Sequence, residues 1–243
     1  CGESEGVGML TACILNYNGK DIIQKCVDSV LKQSVKPDEI LLIDNSSTDD
    51  SWKLVEKDVT RVIHADNKYK FITGLNTSFE EAKEGKVLFM ENDILLLDNC
   101  LEDMEWEVNL NGGIVSPTFL DSNFHKYKIE WYSGFLSACF MMWKHTFENI
   151  GKFDENLAPA YWEDVDYSIR ARRLRVNMKK NFGKAIHYAN WSFSKVFTKK
   201  QMSGWCRRNA FYILEKHYLS HAFPFLYNGR TFSNSSSKVD SSK

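Results

Sequence analysis

The sequence lacks long apolar runs, paired cysteines and the glycine-rich motifs of common nucleotide-binding enzymes. No apolar run approaches the roughly 20 residues that span a bilayer, and no signal-peptide pattern is present. The six cysteines are scattered without a Cys-x-x-Cys pair, which favours reduced thiols in a cytosolic protein over a disulfide framework or a zinc site. Neither Gly-x-Gly-x-x-Gly nor Gly-x-x-x-x-Gly-Lys-Ser/Thr occurs, which argues against dinucleotide dehydrogenases and P-loop NTPases.

Length and composition are typical of one globular domain. The chain has 243 residues, of which 43% are apolar and 26% charged, and it can bury a substantial core. Both ends have linker-like composition. We therefore predict a tag or linker at 1–8, a domain at 9–220 and a tail at 221–243 with a flexible end.

Positive charge is concentrated in one segment, although the net charge is only −1. Twelve Lys or Arg and no Asp or Glu lie between Tyr167 and Leu214, which leaves 19 basic and 32 acidic residues elsewhere. Such a basic flank suggests an anionic partner, such as phosphates, an acidic lipid surface or nucleic acid. A solvated face explains the pattern equally well, and no nucleic-acid-binding motif is present.

The first half alternates between short apolar runs and amphipathic segments. Helices are predicted over Asp21–Gln33 with Asp21 as N-cap, over a segment capped by Thr48 or Asp49, and over Ile72–Glu84. This alternation is typical of a parallel α/β sheet, in which right-handed crossovers bring the strand ends to one edge. The predicted strands are Leu10–Leu15, Glu39–Ile43, Arg61–His64 and Lys86–Met90.

Polar side chains follow three of these strands. Glu91, Asn92 and Asp93 come directly after the most apolar strand, Asp44 follows the second, and Asn-Tyr-Asn follows the first. Ligands of open α/β sheets bind at this edge, and carboxylate oxygens suit Mg²⁺ or Mn²⁺ completed by diphosphate oxygens. For the triplet at 91–93, the simple beginning of a polar loop remains an alternative.

The second half is less regular. Asn99–Leu110 is predicted as a helix, Gly113–Ser116 as a strand ending at Pro117, and Thr118–Trp131 as an irregular hairpin. A helix is predicted from Tyr161 to about Arg175, and three acids in its first turn have a structural explanation in the helix dipole. The remaining predicted elements are an apolar segment at Gly134–Trp143, a strand at Lys184–His187 and an aromatic, amphipathic helix at Gln201–Tyr218. This last helix either packs on the domain or contacts a membrane surface.

Taken together, these segments resemble an inverting, nucleotide-sugar-dependent glycosyltransferase of the GT-A fold, family 2, and most closely its rhamnosyltransferase-like members. The resemblance covers roughly Leu10 to Ser194. It implies a Rossmann-like, mainly parallel sheet flanked by helices with a smaller antiparallel C-terminal half, and it divides the domain into a nucleotide-binding half at 9–98 and an acceptor half at 99–220. The segments that carry it are Ile14–Gly19, Leu42–Asp49, Asn67–Asn76, Phe89–Asp93, Gly151–Glu155 and Tyr161–Arg173.

The resemblance implies a donor site in the first half. Tyr17 would stack near the base and Asn16 would line the same site. Asp44 would accept a hydrogen bond from the imide N–H of uracil or thymine. Asn67 and Lys70 lie in the segment that usually lines the nucleotide and phosphates. This segment is bulkier and more basic than the usual small-residue pattern, so the donor sugar is not assigned by it.

The resemblance also implies a metal site. Glu91-Asn92-Asp93 matches the Asp-x-Asp motif, in which Asp93 would bind Mn²⁺ or Mg²⁺ and Glu91 would face the ribose or donor sugar, while Asn92 would belong to the donor-binding site. Glu91 departs from the usual Asp. His187 resembles a position that can complete the metal coordination, although a lone histidine is as often structural.

The acceptor side would be formed by Tyr161, Trp162, Glu163, Asp164 and Asp166. Glu163-Asp164 matches the paired acids of the family, of which Asp164 would be the general base. Tyr161 and Trp162 either form an acceptor-sugar platform or are core aromatics, and Asp166 either orients the site or caps the helix.

The implied activity is transfer of rhamnose or another hexose from a UDP- or dTDP-sugar to a hydroxyl of a glycan, lipid-linked or protein-linked acceptor, as in polysaccharide biosynthesis. The expected location is cytoplasmic, with peripheral membrane contact as a further possibility. Two other classes stay open: a catalytically silent nucleotide- or glycan-binding relative, and a sugar nucleotidyltransferase, whose glycine-rich first loop is missing.

Overall fold

The computed structural model describes residues 8–66, 70–120, 134–188 and 197–217. Of the sequence-based predictions, Asn67, most of the hairpin at 118–131, the tail at 221–243 and nearly all of the segment at 1–8 lie outside these ranges.

The described elements follow the predicted alternation of strands and helices. Short 3₁₀ helices occur at Ser51–Leu54 and Glu155–Leu157. The strands are β1 Leu10–Asn16, β2 Glu39–Asp44, β3 Arg61–His64, β4 Lys86–Glu91, β5 Ile94–Leu96, β6 Ile114–Leu120, β7 Cys139–Trp143 and β8 Met178–His187. The helices are α1 Ile23–Leu31, α2 Phe71–Glu81, α3 Cys100–Asn111, α4 Lys144–Ile150, α5 Glu163–Arg173 and α6 Lys199–Lys216.

One mixed sheet runs through both predicted halves, in the order β3-β2-β1-β4-β7-β6-β8-β5. The strands β3, β2, β1 and β4 are parallel, as the alternation predicts. Antiparallel pairs join β4 to β7, β7 to β6 and β5 to β8, while β6 and β8 are parallel. The predicted fold class, a mainly parallel α/β sheet with a smaller antiparallel part, is confirmed.

The sheet is covered on both faces, which explains why its central strands read as continuous apolar runs. One face packs against α1 and α3 around Ile14, Leu88 and Met141. The other face packs against α2, α4 and α5 and is rich in aromatic rings, with Phe153 stacked on Tyr167 at 3.9 Å between centroids.

Lys86, the first residue of β4, is a charged residue inside this core. Its side chain is 0% exposed, and Nζ forms an ion pair with Glu105 on α3, whose side chain is 18% exposed. The ammonium also lies 5.5 Å from the centroid of the Trp143 ring. A buried ammonium needs such a partner because its desolvation is expensive.

Several predicted boundaries were wrong for local reasons. Asp21 is not the N-cap of α1; the helix begins at Ile23, and the N–H groups of Ile22 and Ile23 donate to the Gly19 carbonyl instead. The segment after Asp49 forms only a 3₁₀ turn, although Asp49 Oδ1 accepts from the Ser51 N–H at 3.0 Å.

Two further differences concern strands. β6 does not end at Pro117, because a register shift between Ser116 and Thr118 lets the strand pass the residue that cannot donate a hydrogen bond. β5 was not predicted, because three residues carry too little periodicity to be recognised. Among the described residues, the cysteines at 13, 26, 100, 139 and 206 are free thiols, and none of the helices is both long and apolar enough to cross a bilayer.

Candidate active site

The carboxyl ends of β1, β2 and β4 meet at one edge of the sheet, as predicted. Asn16 is paired in register with Asp44, and Leu15 is paired with Glu91. The loops that follow these strands therefore begin side by side, and they build the candidate site between them.

Asn16 links the three strand ends from below. Its Nδ2 donates to Asp44 Oδ1 at 3.1 Å, and Ser47 Oγ and Ser51 Oγ lie at 3.2 and 2.8 Å. Its Oδ1 accepts from Asn92 Nδ2 at 2.8 Å. Both amides are buried, and these hydrogen bonds support the loops that follow β1, β2 and β4.

Glycine at position 19 leaves room for the hydrogen bond between Asn16 and Asn92. A Cβ atom at Gly19 would lie 2.4 Å from both Asn16 Oδ1 and Asn92 Nδ2. The hydrogen bond between the two amides therefore requires glycine at this position. In the same loop, the Asn18 N–H donates to Ser47 Oγ at 3.0 Å, which ties the first loop to the second.

An open pocket of about 270 Å³ lies beside Asp44, at the ends of β2 and β3. Its other lining residues are Ser46, His64, Ala65 and Asp66. His64 Nδ1 is 3.5 Å from Asp44 Oδ2, and the His64 ring meets Trp52 edge to face with centroids 4.7 Å apart. The residue His64 was not predicted as a site residue, although its position as the last residue of β3 was the available signal.

The other residues predicted for the donor site are Tyr17, Lys70 and Asn67. Tyr17 is buried, and its carbonyl accepts from Asn92 Nδ2 at 3.3 Å. Lys70 is exposed and directly precedes α2. Asn67 lies outside the described residues.

Asp93 and His187 are brought together by the β5–β8 pair. Ile94 is in register with His187, and the Tyr188 N–H donates to the Asp93 carbonyl at 3.0 Å. Asp93 Oδ1 lies 3.6 Å from His187 Nε2. The short strand β5, which sequence reasoning missed, therefore creates this juxtaposition.

Glu91 and Glu163 approach the same place from β4 and α5. Ser137 Oγ donates to Glu163 Oε1 at 2.7 Å, and the neighbouring Ala138 carbonyl accepts from the Glu91 N–H at 2.9 Å. Glu163 is buried, and its Oε2 receives no hydrogen bond from the described residues. Ser137 is a second residue that sequence reasoning missed, since nothing marks a lone serine before a strand.

The buried carboxyl groups disfavour one another's charge. Burial, together with the charges of Asp93 and Glu163, raises the pKa of Glu91 well above its usual value. Burial also raises the pKa of Glu163. Burial and then the charge of Glu163 raise the pKa of Asp164 to about 8. Part of the pKa shift of Glu91 and Asp164 therefore comes from neighbouring carboxylates, whose charge a bound cation would offset.

Asp93 and His187 form a suitable pair of ligands for a divalent ion. Among residues 8–66, 70–120, 134–188 and 197–217, no group of three or more His, Cys, Asp or Glu is arranged as a complete metal site. Burial lowers the pKa of His187 despite the opposing charge of Asp93, and this keeps the imidazole in its neutral, ligating form. A carboxylate and an imidazole fit Mn²⁺ or Mg²⁺ when substrate oxygens supply the remaining positions.

The residues before α5 have an unusual backbone. Tyr161 and Trp162 have φ values of 80° and 74°, and both side chains are half-buried. Trp162 Nε1 lies 3.2 Å from Cys206 Sγ on α6. Asp164, in the first turn of α5, accepts the Val165 N–H at 2.8 Å. The two aromatics thus pack against α6, and the carboxyl pair follows directly.

Asp166, predicted either to orient the site or to cap the helix, forms ionic contacts within α5 and with the end of α6. It lies about 200° around the helix from Asp164, because two residues turn an α-helix by that angle. There Oδ2 accepts from Arg170 Nε at 2.9 Å, while Oδ1 accepts from Lys216 Nζ at 2.7 Å and lies 2.8 Å from His217 Nε2. Asp166 is therefore the centre of an ionic link between α5 and α6.

Residues 11–175 match the sequence profile of glycosyl transferase family 2. A glucosyltransferase of Escherichia coli, UDP-Glc:alpha-D-GlcNAc-diphosphoundecaprenol beta-1,3-glucosyltransferase WfaP, is 36% identical over 88 residues, which are 35% of either chain. Glycosyltransferase GlyG of Streptococcus pneumoniae is 26% identical over 105 residues, which are 41% of this chain and 35% of GlyG. The matched part thus spans about a third of each of these relatives.

Solved structures show the same fold. TarS of S. aureus in complex with UDP-GlcNAc superposes with a TM-score of 0.62 at 18% identity, covering 78% of this chain and 62% of that one. The mannosyltransferase PcManGT of Pyrobaculum calidifontis, in complex with GDP-Man and Mn²⁺, gives a TM-score of 0.59 at 16% identity, covering 77% and 59%. These likenesses establish the GT-A fold.

Proposed function

The chain belongs to glycosyltransferase family 2, and from this premise we propose that it transfers a hexose from a nucleotide-diphosphate sugar to an acceptor hydroxyl, with inversion. One observation carries the proposal. The pocket beside Asp44, the buried Asp93 and the partly buried Glu91 and Asp164 lie along one edge of a single sheet. This arrangement places the proposed nucleotide site and the proposed reaction site along the same edge of the sheet.

We propose UDP-hexose as the donor class, with dTDP-rhamnose as the second candidate. Asp44 Oδ2 points to the open pocket, where a carboxylate can accept the imide N–H shared by uracil and thymine. UDP-sugars also stand in the names of the E. coli relative and of the TarS complex. His64 is the aromatic group that lines this pocket, and Trp52 packs against its ring.

Asp93 and His187 would hold Mn²⁺ or Mg²⁺ next to the diphosphate. A bound divalent ion acts there as a Lewis acid for the negative charge that develops on the leaving diphosphate. Glu91, held close to both Asp93 and Glu163, would face the ribose or the transferred sugar. The buried network of Asn16 and Asn92 keeps the loops that carry these groups in fixed positions.

Asp164 would accept the proton of the attacking hydroxyl. Its pKa of about 8 makes it a stronger base than an ordinary carboxylate, and a base is most effective when its pKa is near the working pH. Glu163 raises that pKa and is itself oriented by Ser137. Attack from the face opposite the diphosphate forms one bond as the other breaks, so the anomeric configuration inverts.

For the acceptor we propose a lipid-linked glycan, approached from a membrane surface. The E. coli relative is named for a diphosphoundecaprenol acceptor. In this chain the basic flank continues along the exposed residues Arg172, Arg173, Lys199, Lys200 and Arg207, which suits anionic headgroups or an acceptor diphosphate.

The test is calorimetric binding of UDP, dTDP, GDP and CDP and of their common sugars, including dTDP-rhamnose, with and without Mn²⁺. We expect tight, metal-dependent binding of one uridine or thymidine diphosphate sugar, and product formation with a lipid-linked acceptor. Asp93→Ala should remove the metal dependence, while Asp44→Asn should weaken donor binding at least about tenfold by losing a charged hydrogen bond. Absence of nucleotide binding at every Mn²⁺ concentration would indicate a silent relative.

A further inference from the structure

Asn209, on the inner face of α6, holds the backbone that leads into the acidic pair. Its side chain is completely buried. Nδ2 lies 2.6 Å from the Leu157 carbonyl, 3.0 Å from that of Ala160 and 2.9 Å from that of Tyr161. Since carbonyl oxygens only accept hydrogen bonds, the amide nitrogen must face them, and the orientation of the side chain is fixed.

Two of the three carbonyls that Asn209 binds belong to the peptide groups that set the conformation of Tyr161. The Ala160 and Tyr161 carbonyls belong to the two peptide groups on either side of the Tyr161 Cα, which has a φ of 80°. Trp162 follows with a φ of 74°. Bulky residues in the left-handed region cost about 1–3 kcal/mol each and persist only where the surroundings enforce them. Asn209 provides such enforcement.

A second set of contacts with α6 holds α5 just after the acidic pair Glu163-Asp164. Asp166, in the same first turn of α5 as Glu163 and Asp164, is bound by Lys216 and lies 2.8 Å from His217, both at the end of α6. Arg208 donates to the Ala158 carbonyl, and its Nε donates to Asn209 Oδ1 at 2.9 Å. The backbone before the pair and the helix after it are therefore both held by α6.

We propose that Asn209 is a positioning residue for glycosyl transfer: by fixing the backbone at Tyr161 and Trp162 it directs the Asp164 carboxylate towards the acceptor hydroxyl. The inference rests on the proposed function, because it assigns Asn209 a role in that reaction. Asn209 is enclosed by protein and acts through the backbone alone. Asn209 lies 45 residues after Asp164, so the sequence alone does not indicate that the two residues are connected.

Asn209→Ala should lower kcat without weakening donor binding. The substitution removes both amide hydrogens and leaves the three carbonyls without this donor, so the turn before Asp164 can relax. A displacement of about 1 Å in a catalytic group reduces the rate by roughly 10²-fold, and we expect a loss of about 10- to 100-fold. The donor Kd should stay within about twofold, because the pocket at Asp44 is lined by residues at the ends of β2 and β3, whereas Asn209 Nδ2 contacts the carbonyls of Leu157, Ala160 and Tyr161.

Two further variants keep the test interpretable. Asn209→Ser retains one donor and should show an intermediate loss of kcat, which also provides a milder variant where Asn209→Ala does not fold. Ile213→Ala is the control, since Ile213 is buried on the next turn of α6 and packs in the apolar cluster. Ile213→Ala should lower Tm because it leaves a cavity. Its kcat should equal that of the wild type when activity is divided by the concentration of donor-binding sites measured by calorimetry.

The outcomes separate this inference from the proposed function. A kcat loss in the two Asn209 variants, with unchanged donor Kd and a normal Ile213→Ala enzyme, supports the positioning role. Wild-type kcat in Asn209→Ala or Asn209→Ser, or a loss that merely follows Tm across all three variants, overturns it while transfer by the wild type stands. A wild-type protein that transfers no sugar overturns both proposals.

Discussion

Replacing Asp164 by Asn is expected to remove transfer and, at the same time, to stabilise the fold. Burial and the charge of Glu163 raise the pKa of this carboxyl from 3.8 to about 8. In the unfolded chain the group ionises near pH 4, whereas the folded protein resists ionisation. The penalty on folding is therefore absent at low pH and grows as the pH rises towards 8. An amide carries no charge and avoids this penalty.

The size of the effect follows from the pKa difference. One pKa unit corresponds to about 1.4 kcal/mol, so the free energy of unfolding lost to ionisation has an upper limit of about 6 kcal/mol. The Asp164 side chain retains some exposure, so solvent reduces this penalty. We therefore expect a gain of about 1–3 kcal/mol near pH 8.5, or roughly 3–10 °C in Tm.

Scanning calorimetry of the metal-free wild type and Asp164→Asn, at pH 5 and pH 8.5, measures this gain. The difference in Tm should be larger at pH 8.5, while kcat should fall by about 10²–10⁴-fold with donor Kd unchanged. Asp166→Asn is the matched control two residues along α5. Burial alone would raise the pKa of Asp166, but Lys216, Arg170 and His217 outweigh it and hold the pKa below its usual value, so this variant should lose stability. Near-wild-type turnover in Asp164→Asn, or a pH-independent Tm difference, would refute the reasoning.

Two other predictions concern stability. Asp154 is held by Lys216, the Asn156 N–H and Tyr212, which outweigh burial and lower its pKa to about 2. Asp154→Asn should cost about 1 kcal/mol in urea unfolding at pH 7, and progressively less as the pH falls from about 4 to about 2, where the folded wild-type carboxylate becomes protonated. Glu105→Gln leaves the fully buried Lys86 ammonium without its anionic partner and should cost about 3 kcal/mol, whereas Lys86→Met leaves a carboxylate that reaches solvent and should cost less than about 1 kcal/mol. Equal losses in these two variants would contradict this account of the pair.

The parallel half of the sheet could be predicted from the sequence because its signals are local. Each strand of this half is a short apolar run followed by polar residues, and the observed β3 has the predicted bounds. The same signals placed Asn16 beside Asp44, since strands joined by right-handed crossovers end at one edge. The strand ends alone therefore indicated where the candidate site lies.

The antiparallel half resisted prediction because its arrangement depends on long-range pairing. β5 is only three residues long, yet its pairing with β8 sets His187 beside Asp93. The resemblance to the family supplied His187, but periodicity gave no reason to bring it near the metal motif. The ionic partners of Asp166 could not be predicted for a related reason, because Lys216 and His217 lie some 50 residues further along the chain.

Residues that organise the site are therefore not always those with a recognisable motif. The family match ends at Arg175, whereas His187 and Asn209 lie beyond it. Asn209 binds backbone carbonyls, and every residue type offers a carbonyl, so the segment it holds carries no sequence mark of the interaction. The strained backbone at Tyr161 and Trp162 is the visible consequence. In the proposed reaction the reacting groups come from strand ends and a helix start, and we infer that their orientation depends on a helix that sequence patterns identify only as amphipathic.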